Sequence, residues 1–211
     1  MRRPHCPFTA LAAGSLAVLT TLTTVDARAE GIIRNPGDHP KYAVELEPHG
    51  LLDWDNYYWD STGYGLGMHA VIPFLDNGPV STINNNMGIG FGLDWSHFSD
   101  NACGFANIRG TVFGPGCDVS GNSIKFPVFV QWNFFFTKIV GVFGEAGFGI
   151  YHDWVSWTPA NGCPVGAYCS NNQTGVFPYF EGGGRFLFGD RVGLLVRIGY
   201  PYLTLGASFL L

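Results

Sequence analysis

Residue types that can act together in hydrolysis occur in one short stretch, Ser96-His97-Phe98-Ser99-Asp100-Asn101. A histidine that takes the proton from a serine hydroxyl, oriented by a carboxylate, activates that hydroxyl for acyl transfer. His97 and Ser99 are the candidate base and nucleophile, and Asp94 or Asp100 is the candidate acid. In the alternative interpretation, which we favour, the pair marks the end of a strand at an interface and has no catalytic role.

The amino-terminal segment has the features of a secretory signal peptide. The chain begins with Arg2 and Arg3, continues with an apolar run over 11–25, and then contains the A-x-A cleavage site Ala27-Arg28-Ala29. We expect cleavage after Ala29, which leaves a short, disordered periplasmic lead-in over 30–40 and one domain over 41–211. The alternative, an uncleaved membrane helix, is disfavoured because the run is shorter than a span of about 20 residues.

The composition favours a β-barrel in a membrane. Charged residues make up 13% of the sequence, about half the usual share. No second apolar run is long enough for a membrane-spanning helix, and 30 glycines and 13 prolines argue against long helices. An apolar chain without such a helix is typical of a transmembrane barrel, whose strands alternate apolar and polar residues. The net charge of −5 and the lack of a basic run argue against a nucleic-acid partner.

Eight segments alternate in this way and predict an all-β fold, an eight-stranded antiparallel up-and-down transmembrane β-barrel. The predicted strands are Lys41–Asp53, Gly63–Leu75, Asn86–Phe98, Ser123–Phe136, Ile139–Asp153, Val176–Phe188, Arg191–Gly199 and Tyr202–Leu211. Most are long enough for a tilted membrane strand of about 9–11 residues. Long connections after the third and fifth strands alternate with the short turns Thr137-Lys138 and Gly189-Asp190. This order is expected when both termini lie in the periplasm.

Polar and charged side chains collect on the inward faces of the predicted strands. They are Glu45, Glu47, His49, His69, Asp94, Lys125, Gln131, Asn133, Glu145, Glu181, Arg185 and Arg197. Charges in a space of low dielectric constant need partners, so we expect a paired network that fills the barrel. Two alternatives are a narrow gated conduit and a catalytic role for Glu145 or Glu181.

The cysteines predict disulfides in the outer loops. Cys6 is lost with the signal peptide, and Cys103, Cys117, Cys163 and Cys169 remain as an even set in an exported chain. Four cysteines allow three connectivities, and we favour Cys103–Cys117 with Cys163–Cys169, because these pairs close the shortest loops. Zinc binding by the cysteines is the rival interpretation, which export disfavours.

The histidines predict no metal site. His39, His49, His69, His97 and His152 are scattered along the chain without the spacing of a metal-ligand motif. We therefore expect no metal and no cofactor.

The last predicted strand resembles the carboxy-terminal assembly signal of bacterial outer-membrane barrels. That signal reads polar-x-Gly-x-x-apolar-x-aromatic, and this chain has Thr204-x-Gly206-x-x-Phe209-x-Leu211, which departs from it at the final residue. The resemblance to small eight-stranded outer-membrane barrels covers essentially the whole mature length. It implies recognition by the barrel-assembly machinery, contact with outer-membrane lipid and lipopolysaccharide, and a monomer. Aromatic girdles should flank the apolar band, and the candidates at the outer side are Trp54, Tyr57, Trp59, Trp95, Trp154, Trp157 and Tyr202.

Three functional hypotheses follow. The first, which the resemblance implies, is a non-enzymatic integral barrel with a structural, surface-interaction or narrow-transport role. The second is a lipid-modifying hydrolase, because the stretch around His97 and Ser99 resembles an outer-membrane lipid A deacylase that uses a His-x-Ser pair. In that family the pair lies nearer the carboxy terminus, and no matching glutamate can be assigned here. The third is a soluble lipocalin-like carrier of an apolar ligand, which would need an apolar interior.

Overall fold

The computed structural model describes residues 35–54, 62–102, 106–108, 111–113, 117–159 and 170–211. They form the strands β1 (Glu45–Asp53), β2 (Gly63–Leu75), β3 (Asn85–Ala102), β4 (Ala106–Ile108), β5 (Thr111–Phe113), β6 (Cys117–Phe135), β7 (Val140–Pro159), β8 (Ser170–Phe188), β9 (Val192–Tyr200) and β10 (Tyr202–Leu210). No helix in these ranges is long and apolar enough to cross a membrane.

Eight of the ten strands close into one antiparallel barrel. Their order around the wall is β1-β10-β9-β8-β7-β6-β3-β2, and β4 and β5 pair separately as a short hairpin. Closure depends on the pairing of β1 with β10, which runs from Glu45 opposite Leu210 to Asp53 opposite Tyr202. A closed sheet has no exposed edge within the wall. The predicted eight-stranded up-and-down barrel is therefore confirmed.

The strands differ in length, and the two ends of the barrel therefore differ in structure. β1, β9 and β10 have 9 residues each, whereas β3, β6, β7 and β8 have 18 to 20. At one end, here called the turn end, short connections join β6 to β7 and β8 to β9, and Gly189 adopts the positive φ of 74° that its tight turn requires. At the other end, the four long strands continue past their neighbours.

We call this continuation the ribbon. β2 pairs with β3 only as far as Tyr64 opposite His97, and β9 pairs with β8 only as far as Tyr200 opposite Phe180. Beyond these points the four long strands remain paired with one another. The pairing of β6 with β7, for example, extends to Cys117 opposite Pro159. Much of this region was predicted to be loop, because its outward residues are polar and do not show the apolar alternation of a wall strand.

The segment before β1 packs against the turn end. His39 is buried, its Nε2 lies 2.7 Å from the Asp76 carbonyl oxygen, and its ring stacks on Phe135 at 5.1 Å between centroids. The predicted lead-in is thus ordered from at least His39, contrary to the expectation of a disordered tail. A buried aromatic contact and a hydrogen bond hold it in place.

The outer face of the wall is apolar over the length of the barrel. Large apolar side chains point outward with high exposure, including Leu66 (68%), Phe148 (64%), Val176 (76%), Ile198 (62%) and Leu205 (63%). Water-exposed surfaces of soluble proteins rarely contain apolar patches of this extent. An apolar outer band around a polar interior is the arrangement of a transmembrane barrel.

Candidate functional site

All twelve inward residues named from the sequence lie in the barrel interior. Each is at most 5% exposed: Glu45, Glu47, His49, His69, Asp94, Lys125, Gln131, Asn133, Glu145, Glu181, Arg185 and Arg197. Because successive side chains of a strand point to opposite faces, the alternation that makes the outside apolar also places these groups inside. The interior is therefore the most strongly polar, enclosed region of the described chain.

Two arginines and four glutamates form the largest group, here called the Arg–Glu cluster: Glu45, Glu47, Glu145, Glu181, Arg185 and Arg197. Arg185 Nη2 lies 2.7 Å from Glu45 Oε2 and 3.4 Å from Glu47 Oε1. Arg197 is paired with Glu47 through Nη2 and with Glu145 through Nε at 3.1 Å. The cluster joins β1, β7, β8 and β9 across the lumen, so its contacts hold opposite walls together.

Aromatic rings enclose this cluster. Tyr179 is fully buried, and its hydroxyl lies 2.8 Å from Glu145 Oε2 and 2.9 Å from Glu181 Oε2. The guanidinium carbons of Arg185 and Arg197 lie 5.4 and 5.3 Å from the centre of the Phe143 ring, within the range of cation–π attraction. Tyr179 was not among the predicted interior residues, although its inward position follows from the parity of Glu181 two residues later.

Three side chains on adjacent strands form a second group, here called the His–Asp–His cluster: His49 of β1, His69 of β2 and Asp94 of β3. Both imidazole Nε2 atoms face the same carboxylate, with His49 Nε2 3.0 Å from Asp94 Oδ1 and His69 Nε2 3.1 Å from Oδ2. The two rings meet edge to face at 4.5 Å between centroids. Sequence spacing gave no sign of this group, because its members come from three different strands.

Closer to the ribbon, a lysine pairs with an aspartate. Lys125 Nζ donates to Asp53 Oδ2 at 2.6 Å, and Ser96 Oγ donates to the same oxygen at 2.8 Å. Lys125 also lies 5.0 Å from the centre of the Tyr202 ring. Asp53 and Ser96 were not among the predicted interior residues, but they share the parity of His49 on β1 and Asp94 on β3.

Amides fill the lumen near the turn end. Gln131 Nε2 donates to Asn133 Oδ1 at 3.0 Å, and Asn133 Nδ2 donates to Asn86 Oδ1 at 2.8 Å. Asn86 in turn lies 3.5 Å from the hydroxyl of Tyr42, which precedes β1. Burial, with the nearby Glu45 carboxylate, raises the pKa of Tyr42 above its ordinary value, so its hydroxyl is neutral where it accepts from Asn86 Nδ2.

The candidate catalytic pair lies on the other side of the wall. Trp95, which has the parity of His97 and Ser99, is 41% exposed on the outer face, and Ser99 is exposed as well. His97 Nδ1 lies 3.2 Å from Asn122 Oδ1. Asp94 is buried inside the barrel on the opposite face of β3, where it cannot orient His97. The side chain of the other candidate acid, Asp100, lies outside the described residues.

Three predicted girdle residues lie on the outer face, and one does not. Trp54, Trp95 and Trp154 are 40–44% exposed near the level at which the ribbon begins. Tyr202, in contrast, is fully buried in the lumen, so its assignment to the girdle was wrong. The alternation of β10 explains this, since Tyr202 shares the inward parity of Thr204 and Ser208. Tyr57 and Trp59 lie outside the described residues, as does the side chain of Trp157.

The structure describes only some residues of the other predicted sites. In the assembly-signal pattern, Thr204 faces the lumen, whereas Phe209 and Leu211 are exposed on the outer face. The signal peptide lies outside the described residues, and so do Cys103, Cys163, Cys169 and the side chain of Cys117. The two disulfides remain predictions.

The chain has structural neighbours but no match among families or curated proteins. No protein-family model matches it, and no curated protein does. It is similar to two crystal structures of Ail, the attachment invasion locus protein of Yersinia pestis. In one, Ail is alone (TM-score 0.44, 13% identity, 81% of this chain and 98% of that chain). In the other, Ail is bound to the heparin analogue sucrose octasulfate (TM-score 0.43, 12% identity, 79% and 95%).

Proposed function

We propose that this protein is an integral barrel of the bacterial outer membrane that presents the ribbon at the cell surface for contact with other molecules, without catalysing a reaction. The observation that supports this proposal most strongly is that four strands, β3, β6, β7 and β8, are longer than a membrane crossing requires. A membrane crossing needs about 9–11 residues, and these strands have 18 to 20. The additional residues extend the sheet beyond the apolar band.

The composition of the ribbon supports its exposure to water. The first residues of β8 are Ser170-Asn171-Asn172-Gln173-Thr174, and β6 contributes Asp118, Ser120 and Asn122. Trp95 and Trp154 lie on the outer face where this polar sequence gives way to the apolar band. Tryptophan prefers the interface between membrane and water, so the boundary of the bilayer belongs at this level.

The interior supports a structural role rather than transport of an apolar ligand. Its centre is occupied by the Arg–Glu and His–Asp–His clusters, which a lipocalin-like carrier could not accommodate beside an apolar ligand. Eight strands leave only enough room for side chains, and here long charged side chains occupy that room. The barrel therefore serves as a rigid anchor for the ribbon.

Chemical labelling of lysine tests the proposed topology. The chain has only three lysines. Lys41 and Lys138 are exposed beside the turn end, where they pair with Asp76 and Asp38, and Lys125 is buried. A membrane-impermeant amine reagent applied to intact cells should leave all three unmodified. Asn172→Lys, on the exposed face of the ribbon, should be labelled on intact cells.

The control for this experiment is permeabilisation of the outer membrane, which should make Lys41 and Lys138 reactive while Lys125 stays protected. Labels can be assigned to individual lysines by peptide mass spectrometry. Labelling of Lys41 or Lys138 on intact cells, with Asn172→Lys protected, would show the opposite orientation and would contradict a surface role for the ribbon.

The hydrolase alternative is tested through lipid A. Because Asp94 faces the lumen and His97 faces outward, expression in a host with defined lipid A should leave every acyl chain in place. Loss of an acyl chain that depends on His97 and Ser99 would replace the proposed role with an enzymatic one.

A further inference from the structure

We propose that His49, His69 and Asp94 form a binding site for one first-row divalent transition ion of the Zn²⁺ class, enclosed in the lumen of the barrel. The donor atoms of the three side chains all lie within 4.8 Å of one another. Each residue is at most 4% exposed, and each comes from a different one of three adjacent strands. This inference is independent of the proposed surface role.

The backbone leaves space for this group. Gly67 of β2 lies opposite both His49 and Asp94 in the sheet register. A Cβ atom at Gly67 would overlap the two atoms that face each other, Asp94 Oδ1 and His49 Nε2. A Cβ atom at Gly92 of β3 would overlap the ring of His69. Glycine at these two positions therefore allows three polar side chains to converge at one point.

The second contact of His49 orients it as a ligand. Its Nδ1 lies 2.9 Å from the Glu47 carbonyl oxygen, which can only accept a hydrogen bond. Nδ1 must therefore donate, and in the neutral imidazole this leaves the lone pair on Nε2, directed at Asp94. Metal-binding histidines typically donate their other ring N–H to a carbonyl or carboxylate in this way, which fixes the tautomer and the ring orientation.

Without an ion, acceptor atoms of this group face each other when the imidazole of His49 is neutral. Nε2 of His49 and Oδ1 of Asp94 are both acceptors in the tautomer just described, yet they lie only 3.0 Å apart. His69 contributes another Nε2 to the same carboxylate, while its buried Nδ1 has no hydrogen-bond partner. A cation bound by both Nε2 atoms and the carboxylate would replace facing acceptors with three bonds.

The lumen contains more acidic side chains than permanent cations. The buried acidic residues are Glu45, Glu47, Asp53, Asp94, Glu145, Asp153 and Glu181, and the buried lysine and arginines are Lys125, Arg185 and Arg197. Acids thus exceed permanent cations in a region that water reaches poorly, where unpaired charge is costly. A divalent ion beside Asp94 would reduce this excess.

The donor set indicates the class of ion. Two imidazoles and one carboxylate suit Zn²⁺ and its neighbours, whereas Ca²⁺ and Mg²⁺ prefer oxygen donors. Bonds of about 2.0–2.2 Å place tetrahedral donors about 3.4 Å apart, so the 3.0 and 3.1 Å separations must widen slightly. Three protein ligands leave one position for water, and the ion would link β1, β2 and β3.

The test uses the mature chain without a histidine tag, folded in detergent with ZnCl₂ present, because a closed lumen restricts access after folding. Excess metal is removed by gel filtration with a weak chelator, and bound zinc is measured by atomic emission. We expect one ion per chain. Folding with CoCl₂ instead should give a visible absorption spectrum of Co²⁺ with nitrogen and oxygen ligands.

Two double variants separate this site from other histidines. His49→Gln/His69→Gln removes both proposed nitrogen ligands and should weaken zinc binding by at least about 100-fold. His97→Gln/His152→Gln removes two histidines that lie outside the lumen and should bind zinc like the wild type. The lumen double variant, His49→Gln/His69→Gln, also reports any ion held by the loop cysteines, since it leaves them unchanged.

Asp94→Asn keeps the test decisive if the first double variant does not fold. Its amide has the shape of the carboxylate but lacks the charge, so it should fold, with zinc affinity lowered by about 10–100-fold. Folding is checked by the shift in gel mobility on boiling. The proposal is overturned if folded wild type retains no stoichiometric metal, so that the cluster holds only protons. It is also overturned if Asp94→Asn binds zinc like the wild type, or if the lumen double variant folds and does so.

Discussion

The inner and outer faces of the same strands carry opposite chemistry, as β9 illustrates. Leu195 and Arg197 point inward and are almost completely buried, whereas Val196 and Ile198 point outward and are 47% and 62% exposed. The outward residues need only be apolar, because their contacts with lipid are not directional. The inward residues need particular partners, because a buried charge without one is costly. Substitutions on the two faces should therefore destabilise the barrel for different reasons.

The largest effect is expected inside, at Arg197. Its guanidinium is fully buried and serves Glu47 and Glu145 together. Arg197→Ala would leave both carboxylates without their main partner and should lower the free energy of unfolding by about 3–5 kcal/mol. Urea unfolding in lipid vesicles measures this. Lys138→Ala removes an exposed pair with Asp38 and should cost less than about 1 kcal/mol; equal losses would contradict the distinction.

A charge on the outer face should have the next largest effect. Val196 lies at the middle of β9 and faces the apolar band. Val196→Arg should lower the free energy of unfolding in vesicles by about 2–4 kcal/mol, because the guanidinium would lie in hydrocarbon. Asn172→Arg is the matched control, since it places the same charge on the exposed ribbon, where we expect a change within about 0.5 kcal/mol. A similar tolerance at Val196 would argue against a lipid-facing wall.

A smaller effect is expected from adding one methyl group inside. Gly67→Ala would place a Cβ atom against Asp94 Oδ1 and His49 Nε2, and should cost about 1–3 kcal/mol through overpacking. Gly144→Ala tests the other face, where the new Cβ atom meets nothing within 4 Å. Its unfolding free energy should stay near that of the wild type. If Gly67→Ala also left the unfolding free energy unchanged, the side chains around Gly67 would be less tightly packed than the structure indicates.

The smallest expected signal is ionic current. An eight-stranded lumen has room only for side chains, and the Arg–Glu cluster, Tyr179 and Phe129 occupy its middle. Purified protein in planar bilayers should therefore show little or no steady conductance. Large and stable current steps of the size seen with porins would show that the lumen is open to water. That result would contradict the proposed packing of the inner face.

The boundaries of the strands show where sequence patterns suffice. Gly63–Leu75 was predicted with the observed bounds, and the other wall strands were found because apolar and polar residues alternate wherever one face meets lipid. β7 and β8 were predicted too short, as Ile139–Asp153 and Val176–Phe188. In the ribbon the outward residues are polar, as at Asn122 and Asn172, while the inward residues Phe98, Val119 and Val155 are apolar and buried, so the apolar-outward pattern of the wall ends there. The pairing among the long strands continues through the ribbon even though this pattern changes.

The sequence by itself determined which side of the wall each residue faces, since a period of two assigns the face once a few residues are placed. It thereby placed every residue of the Arg–Glu and His–Asp–His clusters in the lumen, and it would have placed Tyr202 there if the same parity had been applied.

Only the tertiary structure decided which of these residues meet. Closure of β1 on β10 and the register between neighbouring strands bring Arg197 to Glu47 and Asp94 to His49. Side-chain alternation is the same for every register shifted by two residues, so the alternation alone could not select these partners. The hydrogen-bonded pairing of the closed barrel fixes one register, and with it the contacts inside.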